Sequence, residues 1–251
     1  MPKPGNRQKK RPKRDFVREK EFNEEAWNPK TELGRKVKSG EITDIDEIID
    51  RGLPILEPEI VDVLLPGLQV DFLEVGQSKG KFGGGKRSIW RQTQKKTKEG
   101  NKPSFATVVV CGTRDGYVGI GIGKAKETVP AREKATRRAK MSIIKVKRGC
   151  GSWECACAQP HSVPFTVTGK VSSVVFRISP APRGTQLCIE KECQKILRLA
   201  GIQDVYGKTF GQTRTKLNLV YACFEALKEL SRIKIKQEHI SQLGIISGRL
   251  Q

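Results

Sequence analysis

Cys150, Cys155, Cys157 and His161 are spaced C-x4-C-x-C-x3-H, which gathers three thiols and an imidazole within a dozen residues. That donor set suits tetrahedral zinc, and a segment with no core of its own would gain from such a staple. The spacing is not that of a standard finger, and C-x-C brings two thiolates very close. An equal reading therefore leaves the four as ordinary small residues of a partly buried loop. Cys111, Cys188, Cys193 and Cys223 fall in strand or helix patterns and read as core residues. Nothing marks a nucleophile held by an orienting third group, and His239 receives no role.

Phosphate chemistry on a glycine-rich loop is the second possibility to test. Gly119, Gly121 and Gly123 miss G-x-G-x-x-G because position 124 is lysine. Gly123-Lys124 is followed by alanine and position 118 is valine, so the P-loop pattern fails twice. The carboxylates between Glu41 and Asp62 have nothing beside them to tune a pKa. They read as a solvated helix face or a contact with a basic neighbouring protein. An enzyme is disfavoured.

Charge points elsewhere. Lysine and arginine number 48 against 27 acidic residues, a net +21 that would make an isolated globule repel itself. A polyanion is the simplest remedy, and no apolar run, signal peptide or lipidation motif favours a membrane. Aromatics at 6% argue against an extensive base-stacking platform. Seven cysteines, an odd count, fit a reducing cytosol rather than a paired disulfide framework.

The elements that would position these residues centre on Phe105 to Ile144. Phe105 to Thr113 is a β-branched strand, Arg114-Asp115-Gly116 a turn, and Tyr117 to Gly123 the returning strand. Its second strand alternates Val118, Ile120 and Ile122 with three glycines, so something bulky is expected close to the bare face. A helix follows with Pro130 in its first turn and Ala131, Ala135 and Ala139 as a stripe for close packing on the sheet. Upstream, Met1 to Lys20 reads as a basic arm that orders along RNA in preference to a solvated disordered tail, and isoleucines 42, 45, 48 and 49 predict a helix. A second short helix is expected at Pro58, and Ser88 to Thr93 reads as a strand leading into a long hairpin loop. Downstream, strands over Val163 to Thr168 and Val171 to Ile178 flank a turn at Gly169-Lys170. Helices are expected over Glu190 to Ala200 and Leu217 to Leu230. Between them Ile202 to Val205 reads as a short strand and Gly207 to Thr215 as a polar loop.

Asp115-Gly-Tyr-Val-Gly-Ile-Gly-Ile-Gly-Lys-Ala-Lys126, Val129-Pro-Ala131 and Pro180-Ala-Pro-Arg-Gly-Thr185 resemble signatures of the small-subunit ribosomal protein S-five family. Trp27-Asn-Pro-Lys-Thr-Glu-Leu-Gly34, Gly149-Cys-Gly-Ser-Trp-Glu-Cys155 and Lys208 to Thr215 resemble its archaeal and eukaryotic branch, the archaeal more closely. The insert from Gly80 to Arg87 departs from the compact family pattern. The resemblance implies an α+β chain: a double-stranded-RNA-binding-like α-β-β-β-α domain over 67–148, then a β-β-α-β-α domain over 163–235 with a left-handed βαβ crossover. A basic arm and acidic helical extension over 1–66, a Cys/His-rich linker over 149–162 and a tail over 236–251 complete the division.

The expected RNA-contacting residues follow from both readings. Lys86, Arg87, Arg91, Lys95 and Lys96 come from the basic stretch, and Arg114, Lys124 and Lys126 from the hairpin. Gly119, Gly121 and Gly123 are expected to let backbone approach folded RNA, beside Arg132, Arg137 and Arg138 of the helix. Arg183, Gly184, Lys208 and Arg214 come from the second domain. The resemblance further implies small-subunit ribosomal RNA, ribosomal proteins S-four and S-eight and messenger RNA near its path of ingress as partners. It implies no membrane and no homo-oligomer, a cytoplasmic place in the small subunit, and a role in assembly and decoding accuracy. A free-standing double-stranded-RNA-binding regulator is the alternative.

Overall fold

The computed structural model describes residues 27–77, 87–155 and 157–249. The basic arm and the insert as far as Lys86, that lysine included, lie outside the described residues.

Three short helices open the described chain: α1 (Glu32–Lys38), α2 (Ile45–Asp50) and α3 (Pro58–Leu64). Thr31 caps α1 by accepting from the Gly34 N–H, and Pro58 pre-sets the first turn of α3. Trp27, Val37, Ile42, Ile48 and Ile60 bury one another in a small cluster. Some of the acidic residues here find cations within the chain, while Glu41, Asp44 and Glu47 are exposed. Asp62 pairs with Lys140 at 2.7 Å, while Asp46 takes Lys145 at 2.9 Å and the Tyr117 hydroxyl at 2.6 Å.

The first sheet is built on one long strand. In chain order come β1 (Gln69–Leu73), β2 (Gly76–Gln77), β3 (Arg87–Ser88), β4 (Arg91–Thr97), β5 (Gly100–Gly112) and β6 (Tyr117–Ala125). One edge of β5 pairs with β4 over its first half and with β1, which sequence reading missed, over its second; β6 takes the other edge. The expected long loop is instead a tight hairpin. Thr97 pairs with Gly100 and its hydroxyl donates to the Gly100 carbonyl at 2.7 Å, so the turn needs only Lys98 and Glu99.

Helix α4 (Thr128–Met141) lies on β6, and β7 (Ile144–Lys145) and β8 (Lys147–Arg148) follow. The alanine stripe meets the glycine stripe. A Cβ at Gly119, Gly121 or Gly123 would sit 2.2, 2.3 or 2.0 Å from the carbonyl oxygens of Ala139, Ala135 and Ala131 respectively. The expectation that these glycines approach RNA is therefore corrected: the bulky neighbour of the bare strand is the chain's own helix, and all three are buried.

The second sheet runs β11-β12-β10-β9. It comprises β9 (Val167–Val171), β10 (Val174–Pro180), β11 (Leu187–Cys188) and β12 (Val205–Phe210), with α5 (Lys191–Leu199) crossing between the parallel neighbours β11 and β12. Helix α6 (Lys216–Arg232) covers β9 and β10. Two expectations shift. The hairpin turn lies at Ser172-Ser173, and β12 extends through Lys208 to Phe210, because pairing with β10 from Pro180 to Val175 holds those polar residues in strand. Gly201, at φ +80°, ends the α5 segment as predicted.

The tail folds back rather than trailing. After α7 (Gln237–Leu243), β13 (Ile246–Ser247) pairs with β8, and the buried Arg148 guanidinium donates to the Gly248 carbonyl at 2.9 Å. One apolar cluster joins Leu73, Val108, Val110, Val118 and Ile120 of the first sheet to Phe176, Ile178, Ile196, Leu197 and Leu227 of the second. The architecture is α+β, with two antiparallel-dominated sheets sharing that core.

Candidate nucleic-acid interface and metal centre

The β4–β5 hairpin projects cations and buries almost nothing. Arg91, Lys95 and Lys96 are exposed along β4, and Lys95 stands directly opposite Lys102. Like charges in register destabilise a strand pair, and here only the exposed Glu99, 3.1 Å from Lys102, offsets them. Arg91 and Lys124 flank Ala106 in one row across β4, β5 and β6. Arg87, Arg114, Lys126, Arg137 and Arg138 are also exposed, the last donating to the Ile122 carbonyl at 2.8 Å. Lys208 and Arg214 are exposed in the second unit, and so is Arg183 beside Gly184.

Arg132 is the least exposed of the expected cations on this helix. It is half-buried, with its guanidinium carbon 4.8 Å from the Trp90 ring centre and 5.5 Å from that of Phe72. Its Nε is buried without a partner among the described residues, and the guanidinium packs between the two rings.

The structure brings Cys150, Cys155, Cys157 and His161 together, with all four donor atoms within 4.8 Å of one another. An antiparallel bridge between Gly149 and Ser162 closes the neck of their loop, and the Leu243 carbonyl accepts from the Cys150 N–H. His161 turns Nε2 towards the Cys155 sulfur at 3.8 Å and holds Nδ1 2.9 Å from Asp204 Oδ2. Burial alone would push the Cys150 thiol up, but hydrogen bonds from the Cys157 backbone and with His161 bring it down to about 7. The Arg183 backbone N–H, helped by Cys157 and His161, lowers Cys155, whereas burial raises Cys157.

Asp204, which sequence reading missed, is the buried carboxylate behind this cluster. It is 3% exposed, and its Oδ1 accepts from the Gly184 and Gln186 N–H groups at 3.1 and 2.8 Å. His161 and Ser162 are stitched to it again through the backbone, the Ser162 hydroxyl donating to its carbonyl at 2.5 Å. The available signal was a lone acid between Ile202 and Val205, two residues bound for the core.

Residues 89–147 match the family model described as Ribosomal protein S5, N-terminal domain, and residues 169–239 match that of Ribosomal protein S5, C-terminal domain. Three archaeal relatives bear the name small ribosomal subunit protein uS5. That of Nanoarchaeum equitans is 50% identical over 228 residues, 91% of this chain and 98% of that protein. The chain belongs to the ribosomal protein S5 family. The Methanocaldococcus jannaschii relative is 49% identical over 229 residues, 91% of this chain and 99% of its own length. The Methanosphaera stadtmanae S5 is 48% identical over 225 residues, covering 90% and 92%. The exposed hairpin and the start of α4 lie within the S5 N-terminal match, and Lys208 and Arg214 within the C-terminal one.

Proposed function

We propose that this chain is a structural, non-enzymatic constituent of the small ribosomal subunit that binds ribosomal RNA and other ribosomal proteins. The observation that carries the reading is the hairpin of Lys95 and Lys102, two cations held face to face on a projection with no core to stabilise it. Crowded phosphates remove that repulsion, and each neutralised phosphate releases counterions. Contacts from Arg87, Arg91, Lys95, Lys96, Lys124, Lys126, Arg137 and Arg138 are read as shape-directed recognition of folded RNA, with Arg114, Arg183, Gly184, Lys208 and Arg214 adding further contacts. Ribosomal proteins S-four and S-eight, messenger RNA at its ingress and an influence on decoding accuracy belong to the same reading. So do a cytoplasmic place and the division of the chain at 67–148 and 163–235.

Zinc belongs to this reading too. Tetrahedral zinc with sulfur at about 2.3 Å wants donors just under 4 Å apart, and the three thiols and one imidazole converge on that scale. Asp204 behind His161 is the outer carboxylate that leaves Nε2 free for a metal. Cys150, Cys155, Cys157 and His161 would hold the ion, which would act purely as a staple of the segment joining the two sheets.

Sedimentation tests the main reading: the chain should track small subunits and polysomes, and residence in light fractions alone would favour a free-standing double-stranded-RNA regulator. Metal analysis of purified small subunits, with Cys155→Ser and Cys157→Ser as controls, tests the zinc. One equivalent lost in both variants is expected; the same metal content in parent and variants would overturn it.

A further inference from the structure

The second sheet is covered by α6 on one face only. On the other face the side chains fall in register: Tyr206 opposite Ser179, Lys208 opposite Arg177, and Phe210 opposite Val175, with Lys170 next beyond Val175 on β9. Tyr206 and Phe210 are 44% and 46% exposed, the Lys208 ammonium lies 5.5 Å from the Phe210 ring centre, and Arg177 and Lys170 are exposed. None of the four strands carries an aspartate or glutamate, and among the described residues neither Arg177 nor Lys208 has an ion-pair partner. Arg177, Ser179, Tyr206, Gly207 and Lys208 line a shallow recess of about 380 Å³ beside the Tyr206 ring.

We propose that this open sheet face is a docking platform for an unpaired, single-stranded segment of RNA. Tyr206 and Phe210 stack bases, and Arg177 and Lys208 hold the phosphate that passes between them. The two rings stand four residues apart on one side of β12, about 13 Å along the strand, which leaves room for backbone between stacked bases. Directly opposed cations are unfavourable in a strand pair, and a phosphate seated over both reverses the sign of that interaction. A protein partner fits less well, because the charged side chains of the face, Lys170, Arg177 and Lys208, are all of one sign with no acid among them, which suits a polyanion. Stacking tolerates any base sequence, as every base offers a flat face. The platform rests on the RNA-binding role proposed above and extends it from folded duplex to single strand.

Fluorescence anisotropy on the full chain, with labelled oligouridine and a labelled RNA duplex side by side, separates the two claims. Tyr206→Ala and Phe210→Ala should each weaken oligouridine binding by about tenfold while leaving duplex binding within about a factor of two, and Tyr206→Phe should retain it. Arg177→Ala and Lys208→Ala should each lower the salt slope for oligouridine by about 0.7. All four side chains are exposed, and thermal melts should match the parent. Wild-type affinity in both aromatic variants would overturn the platform alone; failure of the unaltered chain to bind either RNA would overturn the RNA-binding reading itself. In assembled subunits a photo-crosslinking amino acid at position 206 should give an RNA adduct, and adducts to protein only would hand the face to a neighbouring polypeptide.

Discussion

His161 Nδ1 and Asp204 Oδ2 lie 2.9 Å apart, and both side chains are buried. A neutral imidazole that donates from Nδ1 keeps the Nε2 lone pair for the cysteine cluster, while the other Asp204 oxygen fixes the Gly184 and Gln186 amides. One carboxylate thus ties the cysteine-histidine loop to the exposed Arg183 turn. Asp204→Asn should lower zinc affinity by about 10- to 100-fold in chelator competition. An unchanged competition curve would falsify the outer-carboxylate role.

Gly121 has no room for a side chain. Its Cβ would lie 2.3 Å from both the Ala135 carbonyl oxygen and the Ala139 nitrogen, so Gly121→Ala must lift α4 from the sheet. A loss of about 3 kcal/mol in urea unfolding is expected, with assembly falling in proportion. Normal stability coupled to failed assembly would restore an RNA contact at this strand.

Arg132 is predicted to matter for folding and not for phosphate. Arg132→Ala should cost about 1–2 kcal/mol through loss of the Trp90 and Phe72 stack. The salt slope of duplex RNA binding should stay where it was; a fall of about one would return Arg132 to the phosphate-contacting set.

Lys95 is predicted to do the reverse. Lys95→Ala relieves a like-charge pair with Lys102, so melting should be unchanged or slightly raised. Duplex RNA binding should weaken and its salt slope fall by about 0.9, measured by titration at several salt concentrations. A destabilised protein with unaltered RNA affinity contradicts this assignment.

The segment before α1 is predicted to loosen in acid. Burial alone would raise the Glu57 carboxyl, but hydrogen bonds from Thr31, Lys30 and Trp27 outweigh it and hold the group below its ordinary 4.5. A depressed carboxylate stabilises the fold above its unfolded pKa, and that contribution fades as pH drops through the folded value. Exchange of the Thr31 and Lys30 amides should accelerate through that window in the parent. In Glu57→Gln it should be fast and flat across it; identical profiles would remove Glu57 as the anchor.

Much of the framework was legible because local signals agreed with tertiary need. Pro58 and Gly201 punctuate where proline and glycine geometry requires, and the alanine and glycine stripes on α4 and β6 are complementary in period. What the glycines meet was not legible, since spacing shows that a face is bare and not which body covers it. β1 and the far half of β12 were missed because Gln69, Asp71, Lys208 and Thr209 look like loop residues until a partner strand holds them. The cluster of Cys150, Cys155, Cys157 and His161 was visible as spacing; Asp204, 43 residues from His161, was invisible because only the fold brings it there. Low aromatic content argued against an extensive stacking platform, and composition, which averages over the chain, says nothing of where Tyr206 and Phe210 sit on one strand face.

The apolar cluster that passes from Val108, Val110, Val118 and Ile120 into Phe176, Ile178 and Leu227 makes each sheet the lid of the other. A fragment severed at the cysteine-rich joint would wet a continuous aliphatic surface on both pieces. Recombination can therefore exchange the hairpin tip of this protein far more easily than it can trade one half for a foreign one, and the two halves are bound to change as a pair.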